Sequence, residues 1–158
     1  MKKIYFLVLL SACTPQGSQS NQSLNESSVP KALVFNGDYE QNNGKVTARV
    51  ATNLPDGTEL TARFSNGFGP ESFQASDQAV VEKGKATFDT FSDRGAPLKP
   101  GRYDISITAP LSIIQPSNIQ QAVGADYSKF YGPALKRRSS PKQLDGATIS
   151  WEAFIYVK

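Results

Sequence analysis

An all-β fold, an antiparallel β-sandwich of seven to eight short strands, is what this chain predicts, and three observations carry the prediction. Apolar and polar residues alternate with period two through most of residues 31–158, the pattern of strands with one buried face. Turn-forming clusters such as Asn42-Asn43-Gly44, Asn53-Leu54-Pro55-Asp56-Gly57 and Leu98-Lys99-Pro100-Gly101 separate these stretches at roughly 8 to 12-residue spacing. Helical periodicity is scarce and confined to one short stretch. A small β-barrel is the alternative arrangement of the same strands.

The elements follow in chain order. Leu33-Val34-Phe35 opens the domain, and after the Asn42-Asn43-Gly44 turn Val46, Ala48 and Val50 alternate with Thr47, Arg49 and Ala51. The turn around Pro55 feeds Thr58–Ser65, where Leu60, Ala62 and Phe64 form the apolar row and the strand is expected to pair back on its predecessor. Short strands are expected near Ser72 to Ala75, Ala79 to Glu82 and Ala86 to Phe91, with Lys83-Gly84-Lys85 turning between the last two. Pro100 presets φ and Gly101 tolerates the conformation that leads into a strand whose inward row is Tyr103, Ile105 and Ile107. In the last strand Ile149, Trp151, Ala153, Ile155 and Val157 alternate with Thr148, Ser150, Glu152, Phe154 and Tyr156, which places Trp151 in mid-core.

The Leu-x-Pro-Gly-x-Tyr entry at Leu98–Tyr103, with this order of turns, resembles the immunoglobulin-like and fibronectin-III-like modules of bacterial surface proteins. The resemblance covers Leu33 to Ile107 and the final strand. It implies a two-sheet sandwich. The chain departs from it between Pro110 and Asp145, where some 34 residues stand in place of a short loop, a length associated with function or disorder. Within that insertion Ser117-Asn118 is expected to cap a short helix carrying Ile119, Ala122 and Val123 and ended by Gly124.

Ahead of the domain, Lys2 and Lys3 precede an apolar run, Ile4 to Leu10, that is too short for the roughly 20 residues of a membrane span. It is followed by Leu10-Ser11-Ala12-Cys13, which contains the only cysteine. These residues resemble the signal of bacterial lipoproteins. The resemblance implies a signal peptide at 1–12, cleavage before Cys13, lipid on Cys13, and a place in the cell envelope. With Thr14 rather than aspartate after the cysteine, it implies the outer membrane if the envelope is Gram-negative. Residues 14–30 are mostly Ser, Gln, Asn and Gly, so 13–30 reads as lipidated cysteine plus flexible tether, reaching roughly 20 to 25 Å. The domain is then 31–158. It has no thiol for a disulfide and is large enough to be stable by packing alone.

The formal net charge of +3 falls to +1 without Lys2 and Lys3, so the basic isoelectric point is no sign of nucleic-acid binding. Charge is instead concentrated. Residues 127–144 hold five Lys or Arg and no Asp or Glu. Tyr127, Phe130 and Tyr131 as anchors and Lys136, Arg137, Arg138 and Lys142 as rim form a candidate contact surface, since aromatic and arginine side chains supply most interface energy. The other reading is a solvated loop whose aromatics cover one open end of the sandwich.

With no histidine and one cysteine, Ser-His-Asp and Cys-His catalysis and His-containing zinc sites are excluded. Ser139-Ser140-Pro141-Lys142 has the Ser-x-x-Lys spacing of penicillin-recognising enzymes, but Pro141 is awkward in that helical turn and no Lys-Thr-Gly accompanies it. Asp38, Glu40, Glu59, Glu71, Asp77, Asp89, Asp93 and Asp104 could supply a carboxylate pair, yet nothing marks two of them. The function expected is a lipid-anchored, non-catalytic binding or scaffold module with an envelope protein or glycan as partner and no cofactor or metal. Alternatives are an envelope hydrolase using paired carboxylates and an inhibitor or immunity-type lipoprotein.

Overall fold

The alternating segments pair into strands in the computed structural model, which describes residues 29–67, 72–138 and 146–158. In chain order the strands are β1 (Lys31–Ala32), β2 (Phe35–Asn42), β3 (Lys45–Thr52), β4 (Glu59–Ser65), β5 (Gln74–Val80), β6 (Lys85–Phe91), β7 (Gly101–Ala109), β8 (Phe130–Tyr131), β9 (Leu135–Arg138) and β10 (Gly146–Val157). One sheet has the order β5-β4-β7-β10-β9 and the other β2-β3-β6. Both are antiparallel throughout, so the fold is all-β and sandwich-like, with eight strands in two sheets among the described residues. A small parallel ladder, β1 with β8, is added at one end.

The core lies where the apolar rows meet. Val46, Ala48 and Val50 of β3 contribute from one sheet, and Leu60, Ala62 and Phe64 of β4, Tyr103, Ile105 and Ile107 of β7, and Ile149, Ile155 and Val157 of β10 from the other. Phe64 stacks between Phe91, 5.2 Å away between ring centres, and Tyr103, 4.9 Å away, so aromatic packing bridges the two sheets. The Tyr103 hydroxyl donates to the Lys99 carbonyl at 2.9 Å, which ties the strand to the turn that enters it. The hairpin turns are the expected ones: Asn43 and Gly44, like Lys83 and Gly84, take left-handed φ values at both central positions, as a two-residue turn between twisted strands requires.

Four expectations are corrected. β4 does not pair back on β3. It crosses to the other sheet, because the six residues between them carry Leu54 into the core and form an arch instead of a tight turn. The first sandwich strand, β2, is not marked by alternation: it begins at Phe35, the end of the opening Leu33-Val34-Phe35, and runs on through polar residues as an edge strand held by its backbone ladder to β3, where solvated side chains guard against further pairing. Ser72–Ala75 and Ala79–Glu82 are not two strands. The polar residues between them continue one strand, β5, whose Gln74, Ser76 and Gln78 are exposed and whose Asp77 accepts a hydrogen bond from the Asp89 amide at 2.7 Å across the seam to β6. Finally, Trp151 is only half-buried. Its indole lies over Gly37 where β10 passes β2, a place that a side chain on residue 37 would fill.

Candidate functional site

Two regions carry the chemistry, the insertion after β7 and the outer face of the five-stranded sheet. The insertion continues from β7 through a 3-10 turn (Ser112–Ile114), the helix α1 (Ser117–Val123) and a second 3-10 turn (Ala125–Tyr127) to β8 and β9. Gly124, at φ 76°, ends α1 as expected, and Ile119 and Val123 form its buried stripe at i and i+4. Ser117 and Asn118 do not cap it. Pro116 holds the N-cap position, its φ of −51° presetting the entry, and its carbonyl takes the amides of Ile119 and Gln120.

What fastens the insertion to the sandwich is Gln115, which is 3% exposed. Its Oε1 accepts from the Glu59 amide at 2.9 Å and its Nε2 donates to the Glu59 carbonyl at 2.8 Å, so one side chain completes the backbone pairing of the first residue of β4. The same Nε2 is 3.4 Å from the Tyr127 hydroxyl, which donates to the Pro110 carbonyl at 2.6 Å. Burial pushes the Tyr127 phenol up to about 12, because the phenolate would lose its hydration there; the Gln115 contact offsets this only in part. Asp126 and Tyr127 both sit at left-handed φ, 51° and 55°, a conformation held by the Asp126 amide donating to Ser112 Oγ at 2.9 Å.

The expected contact cluster is therefore split. Tyr127 is fully buried and Phe130 is 6% exposed, so both are interior residues and cannot reach a partner as anchors. Phe130 faces inward from β8, where β1 adds alongside. Tyr131 is 56% exposed, and Lys136 and Arg137 are exposed on β9. Arg138 closes the β9 ladder opposite Gly146. Lys142 lies outside the described residues, as do Cys13 with its flanking signal and the Ser139–Lys142 segment.

Reading across the sheet by register, the outward residues of the five-stranded sheet form rows: Ser76, Arg63, Ser106 and Glu152, then Gln74, Ser65, Asp104 and Phe154. They floor a shallow depression of about 910 Å³. Phe154 and Tyr156 are 63% and 67% exposed, an outward aromatic pair on a strand face that is otherwise polar. The Arg102 guanidinium sits 3.9 Å above the Phe154 ring and 3.8 Å from the Asp104 carboxylate, so the ring is held in place from one side and open on the other. Lys136 pairs with Thr148 and continues the same face onto β9. Sequence reasoning had Phe154 and Tyr156 on the outward row without treating them as a site; two aromatics where alternation calls for polar residues were the available signal.

Among the described residues no group of three or more acidic, histidine or cysteine side chains is placed to hold a metal, and no helix is long and apolar enough to cross a membrane. No family model, curated protein or solved structure matches the chain.

Proposed function

We propose that this chain is a lipid-anchored, non-catalytic binding module of the bacterial cell envelope, held by lipid on Cys13 and presenting the outer face of its five-stranded sheet to a partner. The observation that carries the reading is the exposed pair Phe154 and Tyr156 beside a polar depression, with Arg102 bracing the ring. An aromatic strand side chain facing water leaves most of its apolar surface unburied unless something covers it, and aromatic and arginine residues dominate binding energy where something does. Around them Arg63 and Arg102 are offset by Asp104 and Glu152, and the remaining floor is hydroxyl and amide. Such a neutral, hydrogen-bonding floor suits a glycan or a polar protein surface better than a polyanion. The leader fits the same picture, since Leu10-Ser11-Ala12-Cys13 and the polar residues after it are what a lipoprotein tether requires.

The test is capture by the fragment 29–158 from solubilised envelopes and on insoluble cell-wall polysaccharide, against the same fragment carrying Phe154→Ala and Glu152→Ala. Loss of capture with an unchanged melting temperature is the expected result. Equal capture by both fragments would overturn the assignment of this face.

One arrangement favours the hydrolase as a second reading. Asp104 and Glu152 stand on adjacent strands, one register pair apart on the outward face. The backbones of diagonal neighbours of this kind are roughly 7 to 8 Å apart, a spacing from which two carboxyl groups can reach the roughly 6.5 to 9.5 Å separation that inverting glycoside hydrolysis uses. Release of reducing ends from cell-wall glycan that disappears in Asp104→Asn would support it.

A further inference from the structure

The place where the chain enters the domain bears on how the domain sits on its membrane. Val29 and Pro30 lead into β1, which is tied to the insertion by the Lys31 amide donating to the Lys129 carbonyl and the Leu33 amide donating to the Tyr131 carbonyl, both at 2.8 Å. The entry point is therefore at the insertion end of the sandwich. The β2–β3 turn at Asn43 and the Arg94 turn stand at the opposite end, where the Leu98 amide meets the Gly44 carbonyl. The entry end carries several exposed apolar side chains: Ile113 at 71% and Ile114 at 63% are neighbours on the 3-10 turn, and Val29 at 79%, Val34 at 43% and Tyr131 at 56% lie on β1, β8 and their flanks at the same end. Lys31, Lys136 and Arg137 are exposed at the same end, where Asp56, Glu59, Glu82 and Asp126 are the exposed acidic residues.

Resting on the lipid-anchor reading, we infer that the insertion end docks against the bilayer that holds Cys13, with Ile113 and Ile114 entering the headgroup region and the cations meeting anionic lipid. The length of chain allows it. Fifteen residues separate Cys13 from Val29, a span of at most about 58 Å fully extended, so the anchor keeps this end within reach of the surface at all times. An acyl anchor and an apolar, basic patch are two weak membrane signals that reinforce each other when they lie on the same side of the molecule. Docking in this sense also leaves the outer sheet face uncovered, with Phe154 and Tyr156 toward the end of β10 that is far from the lipid.

The experiment uses the full chain purified from membranes in vesicles of phosphatidylethanolamine and phosphatidylglycerol containing some nitroxide-labelled lipid. Cys13 is the only cysteine, and with lipid on its sulfur a single introduced cysteine accepts an environment-sensitive fluorophore. Docking predicts at least about threefold stronger quenching for a label at Ile113→Cys than at Arg94→Cys, which the length of the sandwich holds roughly 25 Å further from the lipid. A label at Asn118→Cys should be quenched as well, and should lose that quenching when Ile113→Asp and Ile114→Asp are added. Equal quenching at 113 and 94 on a lipidated chain would overturn docking and leave the anchor reading standing. A chain recovered without lipid on Cys13 would remove both.

Discussion

Replacing Tyr127 with phenylalanine isolates one hydroxyl whose surroundings are fully defined. The ring stays packed, while the Pro110 carbonyl loses its donor at 2.6 Å and Gln115 Nε2 loses its contact at 3.4 Å. Leaving a part-buried acceptor unpaired costs about 1 to 2 kcal/mol, so Tyr127→Phe should be destabilised by that amount at neutral pH. The pH dependence is the sharper signature. The phenol has a value of about 12 in the folded protein against 10.0 for an exposed tyrosine, so the unfolded chain ionises first as pH rises. The hydroxyl's contribution is then complete below pH 10 and is lost between 10 and 12, and two units correspond to about 2.7 kcal/mol. The gap between the native domain and Tyr127→Phe should therefore narrow by about 1.4 kcal/mol per unit above pH 10. Every other group is common to both proteins and cancels in the difference. Urea unfolding of the fragment 29–158, followed by Trp151 fluorescence at pH 8 to 11.5, measures it. If the two proteins lose stability in parallel across this range, the buried hydroxyl and the knot built on it are wrong. Tyr131→Phe, at an exposed site, serves as the control and should change nothing.

Three further outcomes are expected. Gly37→Ala forces a methyl into the Trp151 indole, so it should cost about 1 to 3 kcal/mol and shift tryptophan emission toward that of exposed indole; an unshifted spectrum would mean that the indole does not rest on residue 37. Cys13→Ser should leave the precursor uncut and unlabelled by a palmitate analogue in cells, and continued labelling would end the lipoprotein reading. Lys136→Glu with Arg137→Glu should weaken vesicle or partner binding at low ionic strength and make little difference at high salt, where charges on an exposed edge are screened; equal binding at both would show that these cations serve only solubility.

Much of the architecture is legible because burial in a two-layer sheet imposes period two on the residues themselves. The rows Val46-Ala48-Val50, Leu60-Ala62-Phe64, Tyr103-Ile105-Ile107 and Ile149-Ile155-Val157 all face the core as the alternation implies. Turn residues are legible for an equally local reason, since Asn43-Gly44 and Lys83-Gly84 adopt the left-handed conformation that their hairpins demand. Helix α1 lies where its apolar spacing and Gly124 put it.

Alternation states which side of a strand is buried but not which strand lies beside it, and there the tertiary structure decided. β3 and β4 follow each other in the chain yet belong to opposite sheets, because each must bury its apolar row against the other across the core. β2 has little apolar signal beyond Phe35 and is held mainly by its ladder with β3, with the Trp151 indole packed over Gly37. The insertion shows the same limit at the level of a site. Aromatic residues beside cations read as a contact surface, but Tyr127 and Phe130 are interior because Pro110, Gln115 and β1 close over them, and those partners are distant in sequence. Conversely, Phe154 and Tyr156 are placed outward by local alternation. Only the register of β10 against β7 brings Arg102, Asp104 and Ser106 beside them and makes an exposed pair into a surface that a ligand can cover.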